Sequence, residues 1–199
     1  MAILISGRGS NMGALIAASL DDSYPARIVS VISDKADAAG LEHARRFGIA
    51  AKAIARADFD SKEAHELVVR EEIKASGAQF VALAGYMRLL SAEFVRAFEG
   101  RMINIHPSLL PAFPGLATHE RALAAGCRVH GCSVHFVTEG MDEGPIIEQE
   151  AVRVALDDTA ETLAARVLEA EHRIYPKALA MLVRGEVRMT GDGRSQFKS

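Results

Sequence analysis

In Ala2-Ile3-Leu4-Ile5-Ser6-Gly7-Arg8-Gly9-Ser10-Asn11-Met12 a compact apolar run, Ala2 to Ser6, is broken by Gly7-Arg8-Gly9-Ser10-Asn11. The run is short and bounded by turn residues, as in a strand buried on both faces. From Met12 to Leu20 the apolar residues recur at helical spacing. Strand, glycine turn and helix together open an α/β unit.

The same alternation continues along the chain. Ile28 to Ser33 is β-branched and reads as a second strand ending at Asp34. Ala38 to Phe47 reads as a helix stopped by Gly48. Ala50 to Ile54 is a weak third strand. Asp60 to Ser76 is a long amphipathic helix, with Asp60 as its cap and Glu63 three residues on. Phe80 to Ala84 is a fourth strand, and Ser91 caps a short helix to Phe98. Arg101 to His106 is a fifth strand, followed by a Pro/Gly-rich loop from Pro107 to Gly115. After a helix from His119 to Ala125, Val129 to Val137 and Pro145 to Val154 are strands joined by a short loop, so they pair antiparallel. Asp158-Thr159 caps a last helix, Ala160 to Arg184, which Pro176 is expected to kink or break. Residues beyond Gly191 are polar and expected to be loose. The predicted fold is a single α/β domain over residues 1–199. It is Rossmann-like, with a mostly parallel twisted sheet, helices on both faces and an antiparallel strand in the C-terminal half. Ligands of such sheets bind beyond the carboxyl ends of the strands.

Composition narrows the partners. With 199 residues, 49% hydrophobic and 25% charged, the chain has the profile of a globular protein. Its net charge of −3 gives no reason to expect nucleic acid. The N-terminus lacks the basic flank of a signal peptide, and no segment has the length of a membrane span. Two cysteines, Cys127 and Cys132, make no disulfide framework, which fits a reducing cytoplasm.

Several stretches carry chemistry. Backbone N–H groups of Gly9, Ser10 and Asn11 at a helix N-terminus suit a phosphate; the same turn can equally be a plain helix start. The glycines stand at 7, 9 and 13, so the G-x-G-x-x-G spacing fails at Met12. A single phosphate therefore fits better than a dinucleotide, although Asp34 ends the second strand where a ribose-binding acid would lie. Lys62 is within reach of an anion at the sheet rim or is a solvated lysine. Gly85-Tyr86-Met87-Arg88-Leu89-Leu90 offers a close backbone approach, a cation for a carboxylate and apolar residues for a flat pocket. The bland alternative is a strand-to-helix loop with inward leucines.

Met102-Ile103-Asn104-Ile105-His106-Pro107 ends the fifth strand. Asn104 and His106 are two apart and point to one side. Pro107 restricts His106 to extended backbone and fixes its aim. An amide and an imidazole aimed together can hold and protonate an oxyanion. Asp142, in the loop 138–144, can bend back to this end, where a carboxylate favours the charged imidazole or relays a proton through water. Cys127, His130, Cys132 and His135 have the composition of zinc ligands. On a strand, however, His130 and Cys132 face one side and His135 the other, so four ligands do not converge. Ser133 shares the His135 side.

Ile5-Ser6-Gly7-Arg8-Gly9-Ser10-Asn11, Leu83-Ala84-Gly85-Tyr86-Met87-Arg88-Leu89-Leu90, Asn104-Ile105-His106-Pro107-Ser108-Leu109-Leu110-Pro111, Val134-His135-Phe136-Val137 and Asp142-Glu143-Gly144-Pro145-Ile146-Ile147 together resemble the phosphoribosylglycinamide formyltransferases. The resemblance covers nearly the whole chain in order. It implies formyl transfer from 10-formyltetrahydrofolate to the glycine amine of 5-phosphoribosylglycinamide, a step of purine synthesis, with no metal. It further implies Asn104, His106 and Asp142 as catalytic residues, and Gly9, Ser10, Asn11, Lys62 and Glu171 as ribonucleotide contacts. The folate would be held by Met87, Arg88, Leu89, Leu90, Asn104, Thr138, Met141 and Gly144. Residues 1–100 would form the ribonucleotide half and 101–199 the catalytic and folate half. The implied partners are small molecules only, in a cytoplasmic monomer or homodimer. Ala117 stands where many relatives carry a His.

Two relatives of that superfamily use the same Asn, His and Asp set. Formyltetrahydrofolate hydrolases add an N-terminal domain and methionyl-tRNA formyltransferases usually a C-terminal one. A fold beginning at residue 2 and filling the chain is expected to be neither. A non-catalytic nucleotide-binding module would not need the Asn104, His106 and Asp142 set, and a dinucleotide-dependent oxidoreductase would need the missing glycine.

Overall fold

The computed structural model describes residues 1–198. The chain divides into two compact units, Met1–Ile103 and Asn104–Ser199.

The first unit carries strands β1 (Ala2–Ile5), β2 (Ser30–Ser33), β3 (Ala50–Ala53) and β4 (Val81–Leu83), and the start of β5 (Met102–His106). Their order is β3-β2-β1-β4-β5. The pairings of β1 with β2, β1 with β4 and β2 with β3 are all parallel. Between the strands run helices α1 (Ser10–Ser19), α2 (Ala39–Arg46), α3 (Lys62–Ala75) and α4 (Ala92–Ala97). The opening stretch sits at the centre: Ile3, Leu4 and Ile5 are each 0% exposed. Burial of one such side chain stabilises the fold by about 1.5–3 kcal/mol. β3 lies at the edge and exposes alternate residues, and Lys52 there pairs with Glu72 of α3 at 2.5 Å. A charge on an edge strand discourages pairing with another chain.

One cap differs from expectation. Ser61, not Asp60, caps α3, its hydroxyl accepting the Ala64 N–H at 3.0 Å. The helix starts one residue later than its composition suggests, so Glu63 lies in the first turn but closes no capping box. Ser91 does cap α4, accepting from Phe94 at 3.2 Å. It also donates to the buried Glu66 carboxylate, which ties α4 to α3.

The second unit continues β5 into β6 (Val129–Phe136) and β7 (Ile146–Arg153), in the order β5-β6-β7. β6 and β7 are antiparallel, as the short loop between them predicts, and the register slips between Val134 and His135. Parallel strands alternating with helices, plus this one antiparallel pair, make the mixed α/β arrangement predicted by the sequence. α5 (Thr118–Ala124) and α6 (Ala160–Val183) complete the unit. Thr159 and Thr162 cap α6 reciprocally.

Two expectations fail here. Pro176 does not break α6, which runs unbroken for 24 residues. A proline costs a helix about 3 kcal/mol. Leu163, Val167, Ala170 and Ile174 before it, and Ala178, Leu179 and Leu182 after it, are all buried, so packing on both sides outweighs that loss. The polar tail, as far as the described residues reach, also forms a strand; Ser199 lies outside them. β8 (Val187–Met189) pairs antiparallel with β9 (Ser195–Phe197), anchored by Val187 at 1% exposure. α6, although long, is not apolar enough to cross a membrane, nor is any other helix among the described residues.

Candidate active site

The end of β5 brings two polar side chains out of an otherwise buried strand. His106 is 5% exposed, and its ring is held at both nitrogens. Nδ1 lies 3.3 Å from Asp142 Oδ2, and Nε2 lies 3.0 Å from the carbonyl oxygen of Phe113. Both neighbours are acceptors, so both ring nitrogens are placed to donate. Asp142 Oδ2 also accepts the Gly115 N–H at 2.8 Å. One carboxylate thus ties the loop after β5 to the loop between β6 and β7. Asp142 itself has φ 56, a left-handed conformation that Asp tolerates better than most residues.

Asn104 reaches the same place through a second imidazole. Its Nδ2 lies 3.2 Å from His135 Nε2, which is in turn 3.7 Å from Asp142 Oδ1. His135 is aimed by two local features. The register slip in the β6–β7 pair falls at this residue, and such irregularities re-aim side chains. Its Nδ1 lies 2.8 Å from the Phe136 carbonyl oxygen. A Cβ on Gly144 would come within 1.7 Å of that oxygen, so only glycine permits this packing. Burial pushes the His135 pKa down, the Phe136 bond and Asp142 only partly opposing it.

The loop carrying Phe113 and Gly115 is anchored from below. The fully buried Ser133 hydroxyl donates to Ser108 O at 2.7 Å and accepts from Leu110 N at 3.0 Å and from Gln149 Nε2 at 2.7 Å. Ser133 therefore supports the loop under Leu110, whereas the sequence shows only that it shares the His135 side. Thr118 adds a bond to Pro107 O at 2.8 Å.

The first unit holds the other predicted contacts. Gly9 caps α1 in the left-handed region at φ 74, without a side-chain cap, and no acidic residue occupies the first turn. A helix start of this kind presents its first backbone N–H groups outward, as anion-binding helix starts do. The turn rests on α2: Gly40 N–H donates to Gly7 O at 3.1 Å, and a Cβ on Gly40 would lie 2.5 Å from Ile5 Cδ1. Arg88 is half exposed, and its Nε donates to Asp34 Oδ2 at 2.7 Å. The acid that ends β2, a candidate ribose ligand on sequence grounds, is an arginine's partner instead. Met87 and Leu89 are 70% and 66% exposed, so the leucine-inward alternative for this loop does not hold at Leu89. Lys62 Nζ is 3.9 Å from Glu66 Oε1.

The Formyl transferase family profile matches residues 1–179. Phosphoribosylglycinamide formyltransferase of Escherichia coli is 46% identical over 94% of this chain and 88% of its own length. The chain belongs to the phosphoribosylglycinamide formyltransferase family. A solved structure of glycinamide ribonucleotide transformylase 1 from Symbiobacterium toebii superposes with a TM-score of 0.96 at 46% identity, covering 100% of this chain and 93% of that one. The trifunctional purine biosynthetic protein adenosine-3 of Bos taurus is 48% identical over 98% of this chain, which spans only 19% of that longer protein.

In this formyltransferase-family chain the other predicted residues scatter. Glu171 is 6% exposed on the buried face of α6, where its charge adds to burial in pushing the Cys132 thiol up to about 12. Thr138 is half-buried, and Met141, 52% exposed, lies over Gly115, whose added Cβ would meet Met141 Cε at 3.6 Å. Three of the four residues with zinc-ligand composition have different neighbours. The His130 ring is 5.3 Å from that of His119, Cys132 is buried and feels the Glu171 charge, and His135 meets Asn104. Among the described residues no group of three or more His, Cys, Asp and Glu could hold a metal ion. Sequence reasoning assigned no role to His135, Gln149 or the Phe113 carbonyl. Only His135 left a trace, among the four residues of zinc-ligand composition and in the Val134-His135-Phe136-Val137 stretch of the resemblance.

Proposed function

We propose that this chain transfers the formyl group of 10-formyltetrahydrofolate to the glycine amine of 5-phosphoribosylglycinamide, as the names of its relatives indicate for them. The observation that carries the reading is the Asn104, His106 and Asp142 cluster, in which a carboxylate lies 3.3 Å from the imidazole. The amine lone pair attacks the formyl carbon, a C–N bond forms, and the carbonyl π electrons move to oxygen. An Asn104 N–H and the His106 Nε2–H hold that oxyanion. To do so, His106 exchanges the Phe113 carbonyl for the substrate oxygen. Collapse re-forms the carbonyl and breaks the bond to folate N10, and the proton lost by the amine reaches N10 by way of Asp142. The products are formylglycinamide ribonucleotide and tetrahydrofolate.

Gly9, Ser10 and Asn11 at the start of α1 would bind the ribonucleotide phosphate, with Lys62 and Glu171 as further charged contacts. The exposed apolar side chains of Met87 and Leu89, with Arg88 and Leu90, suit the flat ring and acidic tail of a folate, and Thr138, Met141 and Gly144 of the second unit are proposed as further folate contacts. The test is tetrahydrofolate release from 10-formyltetrahydrofolate with and without the ribonucleotide amine. Release only with the amine supports transfer. Release in both arms makes water the nucleophile, and release in neither removes the enzymatic reading.

A further inference from the structure

We infer that His135 is a positioning residue for the reaction: its Nε2 accepts one N–H of the Asn104 amide and thereby decides which end of that amide faces the reacting carbonyl. His135 Nδ1 stands 2.8 Å from the Phe136 carbonyl oxygen, which can only accept, so Nδ1 carries a hydrogen. The ring is 2% exposed, and burial favours its neutral form. A neutral ring protonated at Nδ1 has a bare lone pair at Nε2. That lone pair meets Asn104 Nδ2 at 3.2 Å. Asp142 Oδ1, the other polar atom facing Nε2, is an acceptor at 3.7 Å and offers it no hydrogen.

The consequence falls on Asn104. Its amide has two N–H bonds on one side and a carbonyl on the other. With one N–H engaged by His135, the second is free to donate to an oxyanion. Without the acceptor at Nε2, the amide can rotate by half a turn and present its own oxygen, which repels an oxyanion. His135 thus acts through Asn104 and need not touch either substrate. The inference rests on Asn104 being the oxyanion donor, as proposed above.

Three measurements test it. The ring tautomer is read by 15N NMR of the purified protein at pH 7.5, with no substrate present; hydrogen on Nδ1 and none on Nε2 is expected. His135→Leu is expected to lower kcat roughly 10- to 100-fold with little change in either KM, part of the 10²–10³ that loss of an oxyanion donor costs. His135→Gln, which keeps an acceptor near the Nε2 position, is expected to recover most of that loss. In an Asn104→Ala background, His135→Leu is expected to cost almost nothing further. A protonated Nε2, an undiminished kcat in His135→Leu, or full additivity with Asn104→Ala would overturn the inference. If His135→Leu does not fold, the tautomer and the His135→Gln and Asn104→Ala pair decide. The expected tautomer in a protein that transfers no formyl group would instead count against the proposed activity.

Discussion

Replacing Asp142 by Asn keeps the size and most hydrogen bonds of the side chain but removes its charge and its capacity to relay a proton. Asn tolerates the left-handed backbone at φ 56 that Asp142 occupies, where Ala would add strain. With the amide oxygen in the Oδ2 position, the hydrogen bonds from His106 Nδ1 and Gly115 N are kept. The amide nitrogen then takes the Oδ1 position, 3.7 Å from His135 Nε2, too far to compete with Asn104 for that nitrogen's one lone pair. What is lost is the attraction between carboxylate and imidazolium, whose nearest atoms are 3.3 Å apart and whose side chains are 7% and 13% exposed. With charge centres about 4 Å apart and an effective dielectric near 20, that attraction is about 4 kcal/mol. The amide dipole retains part of it, leaving a loss of about 2–3 kcal/mol in the transition state, so kcat falls at least roughly 30- to 150-fold, and the lost proton relay adds to that. The assay is steady-state tetrahydrofolate release at saturating substrates, with circular dichroism and a urea midpoint to show an intact fold. Turnover within about threefold of wild type would refute the role given to the carboxylate.

Other perturbations probe the supports of the site. Ser133→Val strips a buried hydroxyl from three partners and should lower unfolding free energy by about 2–4 kcal/mol, read from urea titration. Gly40→Ala places a methyl 2.5 Å from Ile5 Cδ1 and 3.0 Å from Gly7 O. It should destabilise the fold by about 1–3 kcal/mol and weaken ribonucleotide binding more than folate binding, measured by calorimetry with each ligand. Burial, then the neighbouring His119, lower the His130 pKa from 6.5 to about 4. A group depressed on folding binds more protons when unfolded, so its contribution is full above pH 6.5 and is lost as pH falls towards 4. Between pH 7.5 and 5 the wild type should therefore lose about 2 kcal/mol through His130, and His130→Phe should show a correspondingly flatter urea midpoint against pH.

The α/β alternation was legible because it is written in local pattern. The run Ala2 to Ser6 has a strand's length and ends at glycines, and each helix has a cap or a glycine stop nearby. Asn104, His106 and Asp142 were legible for a similar reason: a polar pair at the end of an apolar strand and an acid in a glycine-rich turn stand out. What escaped depends on long-range contacts. The α6 helix survives Pro176 because of what its buried face meets, which no local pattern records. The β8–β9 hairpin consists of three-residue strands, too short to show alternation, and is held by one buried valine. Arg88 reads as a free cation, but Asp34, 54 residues away in sequence, occupies its Nε. Ser133 and Gln149 meet only through the β6–β7 register. The role of His135 emerges only when its Nδ1 is seen against the Phe136 carbonyl, a matter of ring orientation.

The most direct test of the account follows the carbon itself. The protein is incubated with 10-[13C]formyltetrahydrofolate and 5-phosphoribosylglycinamide, and the products are resolved by NMR and mass spectrometry. The account predicts the label as an N-formyl group on the glycine nitrogen of the ribonucleotide, in a one-to-one ratio with tetrahydrofolate. Label recovered as free formate, with the ribonucleotide amine unchanged, would contradict it.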